Sequence, residues 1–322
     1  MSCGFNCPLV WGILVFLIGF KLYVKLTTGV CRSKKRLDGK TVIVTGANTG
    51  IGKETARDLA QRGAKVILGC RDLEKGKKAC DEIIASTGNA KVEVQHLDLS
   101  SLASVRKFAN NIIDTEPHLD VLINNAGATR VEQKLTDDGL LLGMQVNHFG
   151  HFLLTCLLVD LLKRSSPSRI VIVASELHRL GSLDLDDFNS VNVYGSDRIY
   201  CNSKLANVLM SNELARKLKG TGVTVNSLHP GVILSDFFRN FGPIVGPIVK
   251  FFLLLFCKDV HEGAQTSIFL AVSEDVEGVS GKYFTDCKDA SASKSALDEG
   301  LAKKLWEKSE ALVGLSPEEA DF

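Results

Sequence analysis

Tyr200 and Lys204 stand four residues apart in the run Tyr200-Cys201-Asn202-Ser203-Lys204. On a helix that spacing stacks both side chains on one face. A free phenol titrates near ~10, and a neighbouring cation favours the phenolate. Such a pair can donate a proton to a carbonyl oxygen during reduction, or remove one from an alcohol during oxidation. A tyrosine and a lysine at this spacing also arise by chance on exposed helices, so the pair needs support. Ser175 supplies it, because it closes the apolar run from Arg169 and therefore sits at a strand end, where its hydroxyl can polarise a substrate oxygen. Asn147, polar among apolar neighbours, is either a holder of a proton-relaying water next to Lys204 or a satisfied core amide.

A second constellation points to a dinucleotide. Thr45-Gly46-Ala47-Asn48-Thr49-Gly50-Ile51-Gly52 joins a short apolar run to a helical segment. Glycines there let backbone approach a pyrophosphate, and the helix N-terminus offers free N–H groups and a positive dipole end. The spacing is G-x-x-x-G-x-G, where G-x-G-x-x-G is commoner. Further candidates lie at successive strand ends: Arg71 for a ribose 2′-phosphate, with Lys53 as a second cation and Asp72 as the competing reading; Asp98-Leu99 for the adenine; Asn125-Ala126-Gly127 for the adenine ribose. Arg71 favours NADPH/NADP+ over NADH. His148 and His151 have a spacing that can bind metal, but no carboxylate or cysteine stands beside them, and no metal is expected.

These groups need a frame. Thr41–Val44, Ala64–Gly69, Val92–Leu97, Leu119–Asn124, Arg169–Ser175 and Gly222–Leu228 read as strands. Lys53–Gln61, Leu73–Ser86, Ser101–Thr115, Gly139–Lys163 and Arg198–Lys219 read as helices, and Trp306 packs a last one. Strict alternation predicts an α/β protein, a doubly wound, mostly parallel sheet of Rossmann type in a single catalytic domain over 38–322.

The sequence has 322 residues, with 38 Lys and Arg against 37 Asp and Glu. That balance argues against a nucleic-acid partner, which calls for a basic excess. Its 9 cysteines are odd in number and never spaced C-x-x-C, which suits reduced thiols rather than a disulfide framework or zinc site. Residues 1–26 read as an uncleaved N-terminal membrane anchor, apolar apart from Lys21 and Lys25, with Trp11 and Tyr23 suited to the interface. Lys25, Arg32, Lys34, Lys35 and Arg36 lie at its end or in the basic linker 27–37, which places the catalytic domain on the cytosolic side. Cys3, Cys7 and Cys31 flank the anchor at positions an acyl chain would suit, without forming a defined acylation motif. An apolar insertion at about 233–260, richest over Phe241–Cys257, is either core packing or a lid meeting substrate and bilayer; the nearby anchor favours the lid, and hence a lipophilic substrate.

TGANTGIG, NNAG, Ser175, YCNSK and the His229-Pro230-Gly231 run together resemble the short-chain dehydrogenase/reductase family, over about residues 38–290. Cys70-Arg71-Asp72, Val146–Phe152, Ser203–Asn207 and Gly263–Thr266 resemble its microsomal retinol dehydrogenase branch. The resemblance implies a catalytic tetrad of Asn147, Ser175, Tyr200 and Lys204, and cofactor contacts near Pro230, Gly231 and Val232. It also implies an NADPH-preferring retinal reductase or retinol dehydrogenase anchored in the endoplasmic reticulum membrane. Two stretches depart from the branch: Ala128-Thr129-Arg130 is more polar, and Val232-Ile233-Leu234 replaces a usual threonine after Pro230-Gly231. A steroid or other lipid carbonyl reductase is the alternative enzyme, a catalytically silent NADP-binding scaffold the alternative outside enzymes. A second copy of the chain is a candidate partner.

Overall fold

The computed structural model describes residues 8–187, 189, 195–233 and 257–321. Most of the apolar insertion, 234–256, lies outside them, and so do Cys3 and Cys7. At its two described ends Ile233 and Lys258 form a parallel bridge, so the chain returns to the point where it left.

Eight strands make one sheet in the order β3-β2-β1-β4-β5-β6-β7-β8. They are β1 (Thr41–Thr45), β2 (Lys65–Cys70), β3 (Val92–His96), β4 (Val121–Asn124), β5 (Ser168–Val173), β6 (Val223–His229), β7 (Tyr283–Thr285) and β8 (Lys288–Ala290). All neighbouring pairs are parallel except β7–β8, a short antiparallel hairpin. The apolar runs of β1, β2 and β4 are buried throughout, as a sheet covered on both faces requires. One face packs on α2 (Gly50–Gln61), α3 (Leu73–Thr87) and α8 (Val260–Val272). The other packs on α4 (Leu102–Thr115), α6 (Gly150–Arg164), α7 (Ser196–Lys217) and α9 (Glu299–Val313). Trp306 lies in α9, edge-on to Phe152 of α6.

The strand order reverses direction between β1 and β4, and a crevice at such a switch point, beyond the carboxyl ends of the strands, is where open α/β sheets bind ligands. Local chemistry fixes the elements around it. Asp72 caps α3 by accepting from Lys75 N at 3.0 Å, and Gly88 ends that helix in the left-handed region. Ser101 caps α4, and Asp259 with Glu262 forms a capping box on α8.

The structure differs from the sequence reading in three places. The long helix expected from Gly139 starts at Leu142 and is not regular: α5 (Leu142–Met144) runs into a π-helical turn, Gln145–Phe149, before α6. Periodicity cannot reveal one inserted residue in an apolar run. Ser175 lies two residues beyond the end of β5, as N-cap of a 3-10 turn over Glu176–Leu180. And β7 and β8, too short for an alternation signal, close the far edge.

Before the domain, α1 (Pro8–Thr27) is a single helix of 20 residues, about 30 Å long at 1.5 Å per residue. Trp11, Phe16, Tyr23 and Leu26 on it are exposed. Among the described residues, the stretch Leu142–Arg164 is also helical, long and apolar enough to span a bilayer by composition, but it is buried in the core.

Candidate active site

At the end of β1, Gly46 adopts φ 65°, and a Cβ there would lie 2.9 Å from Ala126. Gly52 packs so closely that a Cβ would meet Asn125 Nδ2 at 2.3 Å. The glycine turn is thus pressed onto the Asn125-Ala126-Gly127 rim. Thr49 precedes α2 without capping it, which leaves the first-turn N–H groups available. This cradle fits a pyrophosphate, with Asn48, Gly50 and Ile51 on its lip.

Thr45 holds the two strand ends together. Its hydroxyl accepts from Asn125 N at 2.9 Å and Ala126 N at 3.0 Å, and meets His151 Nε2 at 2.9 Å. His151 Nδ1 faces the Asn147 carbonyl at 3.2 Å, so Nδ1 carries the proton and Nε2 accepts from Thr45. Burial keeps this imidazole neutral by pushing its pKa down to about 3. His148 meets Asn207 Oδ1 at 3.2 Å and Ser309 Oγ at 3.1 Å. Both rings of the metal-like spacing are therefore engaged by protein groups.

Farther along the rim, Arg71 is exposed and has no hydrogen bond or ion pair among the described residues. The Asp72 carboxylate is taken by its own helix, through Lys75 N and Lys75 Nζ at 2.8 Å. Lys53 pairs with Glu82 at the edge of the glycine turn. One Asp98 oxygen accepts from Ser100 N at 2.9 Å and Ser100 Oγ at 2.6 Å, while Leu99 is buried with its carbonyl against Gly150.

Three of these side chains converge. The Ser175 hydroxyl lies beside the Tyr200 phenol, and Leu177 N donates to Ser175 Oγ at 3.2 Å, fixing that hydroxyl. Lys204 is 3% exposed; its Nζ donates to the Val173 carbonyl at 2.9 Å and lies 5.7 Å from the centre of the Tyr200 ring. A Cβ on Gly127 would lie 3.4 Å from that nitrogen, so backbone and ammonium are in near contact. Desolvation pushes Lys204 down to about 8. The sequence reading has Lys204 and the positive ring of an oxidised nicotinamide together lowering the tyrosine pKa. In the protein alone burial dominates and raises it, with the Ser175 hydroxyl pulling the other way.

Asn147 is buried in the π-helical turn. Its Oδ1 accepts from Ala128 N at 2.7 Å, and its Nδ2 donates to Ala128 O at 2.9 Å and Ser203 Oγ at 3.0 Å. The side chain therefore ties the Ala128 rim to Ser203. Its carbonyl accepts from Asn207 Nδ2 at 3.0 Å, a geometry the π turn opens by displacing the usual helical donor. Sequence reasoning missed Thr45, His151, Ser203 and Asn207 as supports, although all four sit inside the motifs it singled out. Glu176 and His178 lie in the turn that Ser175 caps. His178 is buried, bonded to Ser175 O at 2.7 Å and Ser293 N at 3.0 Å, and Glu176 pairs with Arg179.

Beside Tyr200 a cavity of about 220 Å³ is lined by Thr129, Arg130, Leu177, Leu180, Asp197 and Cys201. Its lining is mostly apolar, and the one guanidinium in it, Arg130, pairs with Asp197 at 3.5 Å. The polar departure at Ala128-Thr129-Arg130 therefore does not leave an uncompensated charge there. On the other side Pro230 is buried, Gly231 takes φ 94° and Val232 is exposed. Glu176 N donates to His229 Nδ1 at 3.1 Å, joining this loop to the Ser175 turn.

Comparison with known proteins adds to this geometry. The family described as "short chain dehydrogenase" matches residues 40–243. Retinol dehydrogenase 11 of Mus musculus is 46% identical, over 97% of this chain and 98% of its own. Retinol dehydrogenase 13 of Homo sapiens is 49% identical, over 90% of this chain and 89% of its own. Among solved structures, an uncharacterized protein from Mycobacterium paratuberculosis shares 33% identity at TM-score 0.73, over 88% of this chain and 97% of that one. The Pseudomonas aeruginosa RhlG/NADP active-site complex shares 25% identity at TM-score 0.63, over 83% of this chain and 98% of that one.

Proposed function

The chain belongs to the short-chain dehydrogenase family, an oxidoreductase by that membership, and from this premise we propose that it interconverts retinal and retinol with NADPH/NADP+. The observation that carries the proposal is the convergence of the Ser175 hydroxyl, the Tyr200 phenol and the Lys204 ammonium beside an apolar cavity. Relatives named retinol dehydrogenase, and a structural relative crystallised with NADP, support the substrate and the cofactor class.

In this reading Gly46, Asn48, Thr49, Gly50, Ile51 and Gly52 hold the pyrophosphate. Arg71, free where Asp72 and Lys53 are not, takes the ribose 2′-phosphate. Asp98 and Leu99 flank the adenine, and Asn125, Ala126 and Gly127 line the ribose. Pro230, Gly231 and Val232 face the nicotinamide, which when bound supplies or accepts the hydride. Ser175 holds the substrate oxygen, and Tyr200, kept protonated by burial, donates to it in the reductive direction. Lys204 restores that proton, its pKa brought toward neutrality so that it can both hold and release one. Asn147 holds the Ala128 rim in register with Ser203 and Lys204.

The organisation follows: α1 as the membrane anchor over 1–26, the basic linker 27–37, and the catalytic domain 38–322 with its apolar lid at about 233–260. The anchor sits in the endoplasmic reticulum membrane with the domain facing the cytosol. A lipophilic substrate reaches such a site from the bilayer.

The test is turnover of retinal, medium-chain aldehydes and ketosteroids by membranes holding the full chain, with NADPH and NADH. Tyr200→Phe is expected to lose at least about a hundredfold in kcat, the scale of general acid catalysis, while binding NADPH as before. Undiminished turnover in that variant refutes the catalytic assignment, and faster turnover of ketosteroids than of retinal refutes the substrate.

A further inference from the structure

Behind the Pro230–Ile233 loop lies an ion pair that neither the catalytic group nor the cofactor cradle uses. Lys258 is 8% exposed, and its Nζ reaches Asp286 Oδ1 at 2.5 Å. Its backbone N donates to Val232 O at 2.8 Å. Its side chain lies flat on Gly231, where a Cβ would meet Lys258 Cδ at 2.5 Å and Nζ at 2.8 Å. One residue thus grips the loop by main chain and by side chain.

Asp286 sits in the β7–β8 turn at φ 51°, with Cys287 at φ 57° beside it. Its Oδ1 accepts a second bond, from Gly29 N at 3.0 Å. The approach of the linker is so close that a Cβ on Gly29 would fall 2.0 Å from Asp286 O. Cys31 N then donates to Gln265 Oε1 of α8 at 3.0 Å. The segment leaving α1 is therefore seated on the same carboxylate that orients Lys258.

We propose that Lys258 and Asp286 are positioning residues for the 230–233 loop, and that the docked linker, through Gly29, completes the clamp. The physical reason is the burial of the ammonium: Lys258 is the buried member of the pair and Asp286 the partly exposed one, so without the carboxylate Lys258 must find water or rearrange, and Gly231, with no side chain of its own, follows it. The tether and the reactive end of the cofactor site are in this way mechanically joined. The proposal rests on the assignment of Pro230–Val232 to the nicotinamide side.

The test uses the full chain in detergent micelles and two ligands. NADPH spans the whole cleft, whereas adenosine 2′,5′-bisphosphate occupies only the adenosine half, remote from Gly231. Lys258→Met is expected to weaken NADPH about tenfold and to lower kcat, with the bisphosphate affinity unchanged within twofold. Lys258→Arg, which keeps charge and reach, restores most of the NADPH affinity. Gly29→Ala, which leaves the ion pair intact but lifts the linker off Asp286, gives the same pattern at about threefold. Equal weakening of both ligands, or no change in either variant, overturns the clamp. Wild-type chain that binds the bisphosphate but gains nothing from the nicotinamide half overturns the assignment of the loop itself, and the clamp with it.

Discussion

Replacing Thr45 by valine tests whether a single hydroxyl ties the cofactor rim together. The swap is nearly isosteric, so no cavity opens. It removes one donor and two acceptor sites from a position with no solvent exposure. Asn125 N keeps a second acceptor in Ile123 O at 3.0 Å, so it is not orphaned. Ala126 N and His151 Nε2 lose the partner that the hydroxyl provided. Each buried polar group left unpaired costs roughly 1–3 kcal/mol, which gives about 2–6 kcal/mol for Thr45→Val. Thr45→Ser keeps every bond and loses one methyl, about 0.8 kcal/mol. Urea unfolding of the full chain in micelles, followed by tryptophan fluorescence, should therefore separate the two variants clearly. NADPH affinity should fall in the valine variant as well, because Asn125–Gly127 is no longer pinned to β1. Matching midpoints for the valine and serine variants would refute the reasoning, since the hydroxyl is then not what holds the strand ends.

Arg71→Met should raise the KM for NADPH by about ten- to a hundredfold while leaving that for NADH near its starting value, as expected for loss of a charge-assisted contact to a 2′-phosphate; equal KM changes for both cofactors would exclude that role. Acid should weaken the fold in a defined window. Burial lowers His148 and His229 to about 4 and His151 to about 3, against 6.5 when exposed. Between pH 6.5 and these values the unfolded chain binds more protons, so stability falls as pH falls, by roughly 1.5 kcal/mol per imidazole between pH 6.5 and 5. A urea midpoint that stays level from pH 6.5 to 5 would contradict the neutral, buried state of these rings.

Much of the site is legible in the residues because backbone chemistry is local. A glycine turn between a buried strand and a helix needs no tertiary information to suggest a pyrophosphate cradle, and Gly46 and Gly52 make the close approaches that this requires. Tyr200 and Lys204 share a face by helical spacing alone, and their partner Ser175 follows from the end of an apolar run. The alternation that predicts a doubly wound sheet is equally local, and it fails only where β7 and β8 are too short to alternate.

What the chain order leaves open is which of several neighbours each polar group meets. The sequence puts Arg71 first, with Lys53 as a second cation and Asp72 as the competing reading; in the folded chain Asp72 pairs with Lys75 and Lys53 with Glu82, while Arg71 has no ion pair among the described residues. For Asn147 the sequence offers a water holder or a satisfied core amide, and it cannot say that the π-helical turn brings Ala128 and Ser203 onto the two ends of that amide. In the protein alone burial raises the tyrosine pKa, and burial is a property of the packed assembly and not of a neighbour four residues away. Sequence by itself determined the family and the sheet, and it set Tyr200 and Lys204 on one helix face near Ser175, since these rest on spacing along one chain. Only the tertiary structure decided Thr45, His151 and the Lys258–Asp286 pair, since each joins segments whose separation in sequence gives no hint that they touch.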